Sequence, residues 1–104
     1  MLEDFLNEAK TRNIYVVGIV FPQNPGYRET GAFGRYGPQR SVAMSILDSL
    51  DKMQEKFPNF ILMDENKMGN HDYTDDEAWN TDHLAFLGAV KISGRLDSLL
   101  STLK

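Results

Sequence analysis

"HLAFLGAVKI" (83–92) is the stretch whose reading decides the fold. It is apolar almost throughout, which reads as a short buried strand, with Gly88 as a bulge or a point of close backbone approach. Behind it, Leu96, Leu99, Leu100 and Leu103 repeat at helical spacing after Ser93 and Gly94, so a closing helix is expected.

Two more strands are expected upstream. "IYVVGIVF" (14–21) is continuously apolar and rich in β-branched residues, the mark of a strand covered on both faces, and Pro22 stops it. "NFILMDE" (59–65) is a second short buried strand. Between them Ala43, Ile46, Leu47, Leu50, Met53 and Phe57 mark one face of a helix, with Gly37 and Pro38 suited to its start and Pro58 to its end. Leu2, Phe5, Leu6 and Ala9 mark a first amphipathic helix, ended near Asn13, with acids in its first turn and Lys10 and Arg12 in its last.

The first two strands, joined by a long helix, should run parallel with a right-handed crossover. The third strand can go either way. Thr74 and Glu77 spell a T-x-x-E capping box, so a short helix carrying Ala78 and Trp79 fits within 74–82. If that helix packs on the sheet, the fold is α/β with a three-stranded parallel sheet. If it is only a capped turn, the third strand runs antiparallel and the fold is α+β, a ferredoxin-like βαββα sandwich with an extra N-terminal helix. Ala78 and Trp79 offer too narrow a stripe to cover a sheet face, which favours the second.

At 104 residues the chain reads as a single domain, 1–104, able to close one core without disulfides or metal. It has no cysteine, which excludes a disulfide framework, a thiolate nucleophile and any cysteine-ligated zinc or iron–sulfur site. Glu3, Asp4 and Glu8 stand where a signal peptide would be basic and then apolar, and no apolar run approaches the ~20 residues of a membrane span. A soluble, cytoplasmic protein that does not enter membranes is the expectation.

The net charge of −4 is concentrated in two segments. Residues 22–40 hold Arg28, Arg35 and Arg40 against Glu29, a local +2; residues 64–82 hold seven acids against Lys67, a local −6. Because parallel strands end at the same sheet edge, the loops 22–38 and 65–82 should emerge side by side. Ligands of α/β sheets gather at this carboxyl edge.

"RETGAFGRYGPQR" (28–40) lies in the strand–loop–helix context of a phosphate cradle, but its spelling differs. It is GxxGxxG where a dinucleotide fold needs GxGxxG. Gly26 and Gly31 have P-loop spacing, yet Ala32 and Phe33 replace the Lys and Ser/Thr that would hold phosphate and magnesium. The plain alternative is an ordered loop whose glycines supply positive φ while its arginines pair with the acidic loop. Arg28, Gly34, Arg35, Tyr36, Gly37 and Arg40, with Trp79 across the edge, are the candidate anion- or partner-binding residues. Three arginines in an acidic chain argue against nucleic acid as the partner.

The acidic segment has a metal reading. Asp64, Asn66, Gly69, Asp72 and Asp75 overlay positions of a calcium loop, but Met68 and His71 break the pattern and no helix enters it. His71, Asp72 and Asp75 are the candidate ligands for a transition metal instead. No pattern specifies a cofactor, and no activated-serine context is present.

A small regulatory or adaptor domain is therefore expected, binding a partner protein or a small anionic ligand through 22–38 and 65–82. Unpaired strand edges in so short a chain point to a homo-oligomer. The alternative is an enzyme acting on a phosphorylated or carboxylated small molecule, with Arg28, Arg35 and Arg40 as clamp and His71 with Asp72 as base or metal site.

Overall fold

A computed structural model describes residues 1–22, 39–78 and 83–103. The chain begins with α1 (Leu2–Thr11), in which Leu6 and Ala9 are buried while Phe5, grouped with them by spacing, faces solvent. The helix is closed by a left-handed Asn13, φ 57°. The amide of Asn13 donates to the Lys10 carbonyl at 3.1 Å and that of Ile14 to the Ala9 carbonyl at 2.9 Å, a Schellman closure in which Asn takes the place more often held by Gly.

The reversal feeds β1 (Val16–Val20). Next among the described elements is α2 (Arg40–Lys56), which ends at Phe57, whose amide still reaches the Met53 carbonyl, just before Pro58. Strand β2 (Phe60–Asp64) then pairs with β1 in parallel, Val16 opposite Phe60 through Val20 opposite Asp64. The parallel β1–α2–β2 unit is the one expected from the sequence.

Alternation along the strands splits the core into two clusters. Val16, Phe60 and Leu62 point to one face, where Leu6 of α1 and Leu50 and Met53 of α2 join Phe57. Val17, Ile19 and Met63 point to the other, where Tyr73 packs with Leu84 and with Ile92, Leu96 and Leu99 of a third helix. The β1 stretch is thus covered on both faces, as its continuous hydrophobicity requires.

That third helix, α3 (Phe86–Leu100), overturns the expected third strand. Residues 83–92 are strand-like only at Leu84, in an isolated antiparallel bridge to Ala78. Gly88, Ile92, Leu96 and Leu99 recur at helical spacing and turn inward, while Phe86, Leu87 and Val90 fill the outward side. An apolar residue on nearly every side of a helix imitates a strand buried on both faces. Gly94, read as a break, sits within the helix. Among the described residues the sheet therefore has two strands, and the strand that both the ferredoxin-like sandwich and the three-stranded parallel sheet require at 83–92 is helix from Phe86 onward. The chain is a mixed helix-and-strand protein, and no helix among the described residues is long and apolar enough to cross a membrane.

Gly88 does mark a close approach. A Cβ there would overlap the Glu77 carbonyl oxygen and lie 2.9 Å from Leu84 Cδ2. The Ala85 amide also donates to that carbonyl at 3.0 Å, so the 3-10 turn Asp75–Glu77 is seated against the start of α3.

Candidate functional site

Both strands deliver the chain to one edge, where the described parts of the two charged loops lie. Asp64, the last residue of β2, accepts the amides of Asn66 (2.9 Å) and Lys67 (2.8 Å) on one carboxylate oxygen, turning the chain at once. Asn66 is fully buried and its side-chain amide donates to the Phe21 carbonyl at 2.9 Å, tying the exit of β1 to the exit of β2. Lys67 and Met68 are both left-handed, φ 53° and 55°, a conformation costing roughly 1–3 kcal/mol per non-glycine residue and kept only where the surroundings impose it. Arg40, in the first turn of α2, donates to the Met68 carbonyl at 2.6 Å. A described arginine of the basic segment therefore does reach the acidic one, at the backbone carbonyl of Met68.

Beyond this turn the acidic segment meets α3. The Arg95 guanidinium donates to both carboxylate oxygens of Asp72, at 2.9 and 2.5 Å, and to Glu65 at 2.8 Å. Glu65 also accepts the buried Tyr73 hydroxyl at 2.7 Å. One turn earlier on α3, Lys91 donates to the Asp72 carbonyl at 2.6 Å and to Glu77 at 3.1 Å, with its ammonium 4.6 Å from the Tyr73 ring centroid. Glu77 in turn accepts the Thr74 amide at 2.8 Å, so the expected capping box forms around a single 3-10 turn.

The electrostatics follow from these contacts. The bidentate Arg95 holds the Asp72 carboxyl far below the usual carboxylate range and is itself held further toward its charged form. The Thr74 amide, and then Lys91, hold Glu77 below its ordinary value. Burial, followed by the Glu65 carboxylate, pushes the Tyr73 hydroxyl well above its ordinary value. Asp72 and Glu77 are thus fixed as anions and Tyr73 as a neutral donor near pH 7. None of the three is poised to exchange a proton there.

Among the candidate metal ligands, His71 is buried with Nδ1 accepting the Tyr73 amide at 3.1 Å. Asp72 is engaged by Arg95, and Asp75 lies exposed on the 3-10 turn. Among the described residues no three His, Asp or Glu side chains are grouped as metal ligands. Arg28, Gly34, Arg35, Tyr36, Gly37 and Trp79 lie outside the described residues.

Glu65, Tyr73, Lys91 and Arg95, which organise this edge together with Asn66, were not singled out from sequence. The available signal was Lys91 and Arg95 at i, i+4, neighbours on a helix only. Comparison with protein-family models, with curated proteins and with solved structures finds no match for the chain.

Proposed function

We propose that this chain is a binding domain whose partner is a protein, engaged by segments 22–38 and 65–82 together with the first turns of α3. The observation that carries this reading is an apolar surface set beside carboxylates that form no ion pair among the described residues. Phe86, Leu87 and Val90 are 80, 56 and 54 % exposed, and the exposed Asp75 and Asp76 stand on the turn that packs against the same end of α3. An exposed aromatic and aliphatic cluster rimmed by carboxylates suits a partner segment that offers apolar anchors flanked by Lys or Arg. The inner carboxylates, spent on Arg95 and Lys91, act as the rigid support beneath that surface. They are not proton-transfer groups, which favours binding over catalysis.

Selection from a displayed peptide library tests this. Apolar–basic peptides should be enriched, and Phe86→Asp should abolish their binding while leaving the thermal midpoint nearly unchanged, since the side chain is mostly in solvent. Failure to enrich such peptides, or undiminished binding by Phe86→Asp, would overturn it. A thermal-shift panel of sugar phosphates, nucleotides and dicarboxylates covers the small-anion version; a shift abolished by Arg40→Ala would favour that ligand class instead.

A further inference from the structure

We infer that the outer edge of β1 is a self-association site, where a second copy of this chain adds its own β1 antiparallel and joins two two-stranded sheets into one of four strands. The hydrogen-bond parity of the sheet identifies the edge. The Val16 amide donates to the Asn59 carbonyl at 2.8 Å, and the Val20 carbonyl accepts the Glu65 amide at 3.0 Å. With the parallel register, Val16, Gly18 and Val20 therefore turn their backbone groups toward β2, and Val17 and Ile19 turn theirs away. No outward backbone group of Val17 or Ile19 meets a partner among the described residues.

The two edges differ in how they are protected. On the far side of β2, the Phe60 amide donates to the Phe57 carbonyl at 3.0 Å and the Leu62 amide to Gln54 Oε1, on α2, at 2.7 Å. On that edge the Phe60 and Leu62 donors are capped from within the chain. The β1 edge has no lysine, proline or bulge of the kind that blunts free edges, and it is flanked by the exposed side chains of Tyr15 and Phe21. An open donor–acceptor row of this kind is recognised by an extended strand.

The sequence of the edge makes a second copy the fitting strand. A two-fold axis at Gly18 sets Val17 against the partner's Ile19 as a hydrogen-bonded pair, Val16 against the partner's Val20, and Tyr15 against the partner's Phe21. Every facing pair is apolar, and residues 13–27 contain no charged side chain, so two copies meet without like-charge opposition. The site is separate from the α3 surface proposed for a partner protein, so either can fail without the other.

Amide hydrogen exchange on the unaltered protein is the direct test. Between about 1 μM and about 1 mM protein, the Val17 and Ile19 amides should slow at least ~tenfold, while Gly18, bonded to β2, stays protected throughout. Sedimentation should show a monomer–dimer equilibrium that Tyr15→Lys with Phe21→Lys shifts to monomer, while Phe86→Lys leaves it unchanged. Concentration-independent fast exchange at Val17 and Ile19 would overturn the inference, as would a monomer at every concentration. Slow exchange at all dilutions supports it if the species is a dimer and refutes it if the species is a monomer.

Discussion

Replacing Glu65 by Ala isolates the buried part of the charge network from its exposed part. Glu65 accepts two hydrogen bonds, from the Tyr73 hydroxyl at 2.7 Å and from Arg95 at 2.8 Å, and its side chain is only 10 % exposed. Removing it leaves the hydroxyl of a buried tyrosine without an acceptor, which costs about 1–3 kcal/mol. Arg95 loses one carboxylate but keeps Asp72 and is partly in water, so its share is smaller. The expected total is about 2–3 kcal/mol, seen as a lower urea midpoint at unchanged slope and a fall in thermal midpoint of roughly 10 °C or more. Glu65→Gln keeps an acceptor for Tyr73 and should cost about half as much. Asp72→Ala removes a partner that is mostly in solvent and should cost under about 1 kcal/mol, despite its ideal bidentate geometry. Adding Tyr73→Phe to Glu65→Ala deletes the stranded hydroxyl and should restore about 1 kcal/mol. An Asp72→Ala cost equal to that of Glu65→Ala, or a Glu65→Ala protein made worse by Tyr73→Phe, would show that the buried Tyr73–Glu65 bond is not the main contributor.

Two pH limbs are expected. Asp72 and Glu77 are held below their unfolded values of 3.8 and 4.5, so the unfolded chain takes up protons first as pH falls. Their contribution is therefore complete above about pH 5 and lost below it, and Asp72→Asn should flatten that acid limb in urea titrations. Tyr73 is held above 10.0, so the unfolded chain releases its proton first as pH rises. Stability should fall above about pH 10, and Tyr73→Phe should shallow that fall. The two glycines of α3 should respond oppositely to alanine. Gly88→Ala drives a methyl into the Glu77 carbonyl and should cost about 1–3 kcal/mol, whereas Gly94, with nothing near its would-be Cβ, should gain about 0.5–1 kcal/mol; thermal melts of both variants check this.

The first half of the fold was legible because its signals agree with one another. The unbroken apolar run around Val16–Val20, the one-sided periodicity of α2 and the prolines at 22 and 58 all demand a β–α–β unit. At 83–92 the local signal conflicts with the structure, since Phe86, Leu87 and Val90 supply hydrophobicity on the side that faces water. That one misreading hid Lys91 and Arg95, whose meeting with Asp72, Glu65 and Glu77 depends on helical spacing. The charge pattern pointed to the edge at which Arg40 meets the Met68 carbonyl. It could not show which cations face the acids, because Lys91 and Arg95 lie outside both charged segments. The left-handed pair Lys67–Met68 had no sequence mark at all, being imposed by Asp64, Asn66 and Arg40 from outside.

The pairing of Val16 with Phe60 joins positions 44 apart in sequence, and the second face of the sheet is covered only by residues up to Leu99. A growing chain leaving the ribosome therefore carries its most apolar segment, 14–21, unpaired while the next forty or so residues are made, and half-covered for thirty-five more. Such a run, free of charge over 13–27, is a hazard for misassembly on the way to the native state. The speed of closing β2 onto β1 thus competes with intermolecular capture, and yield at high expression should depend on it more than on final stability.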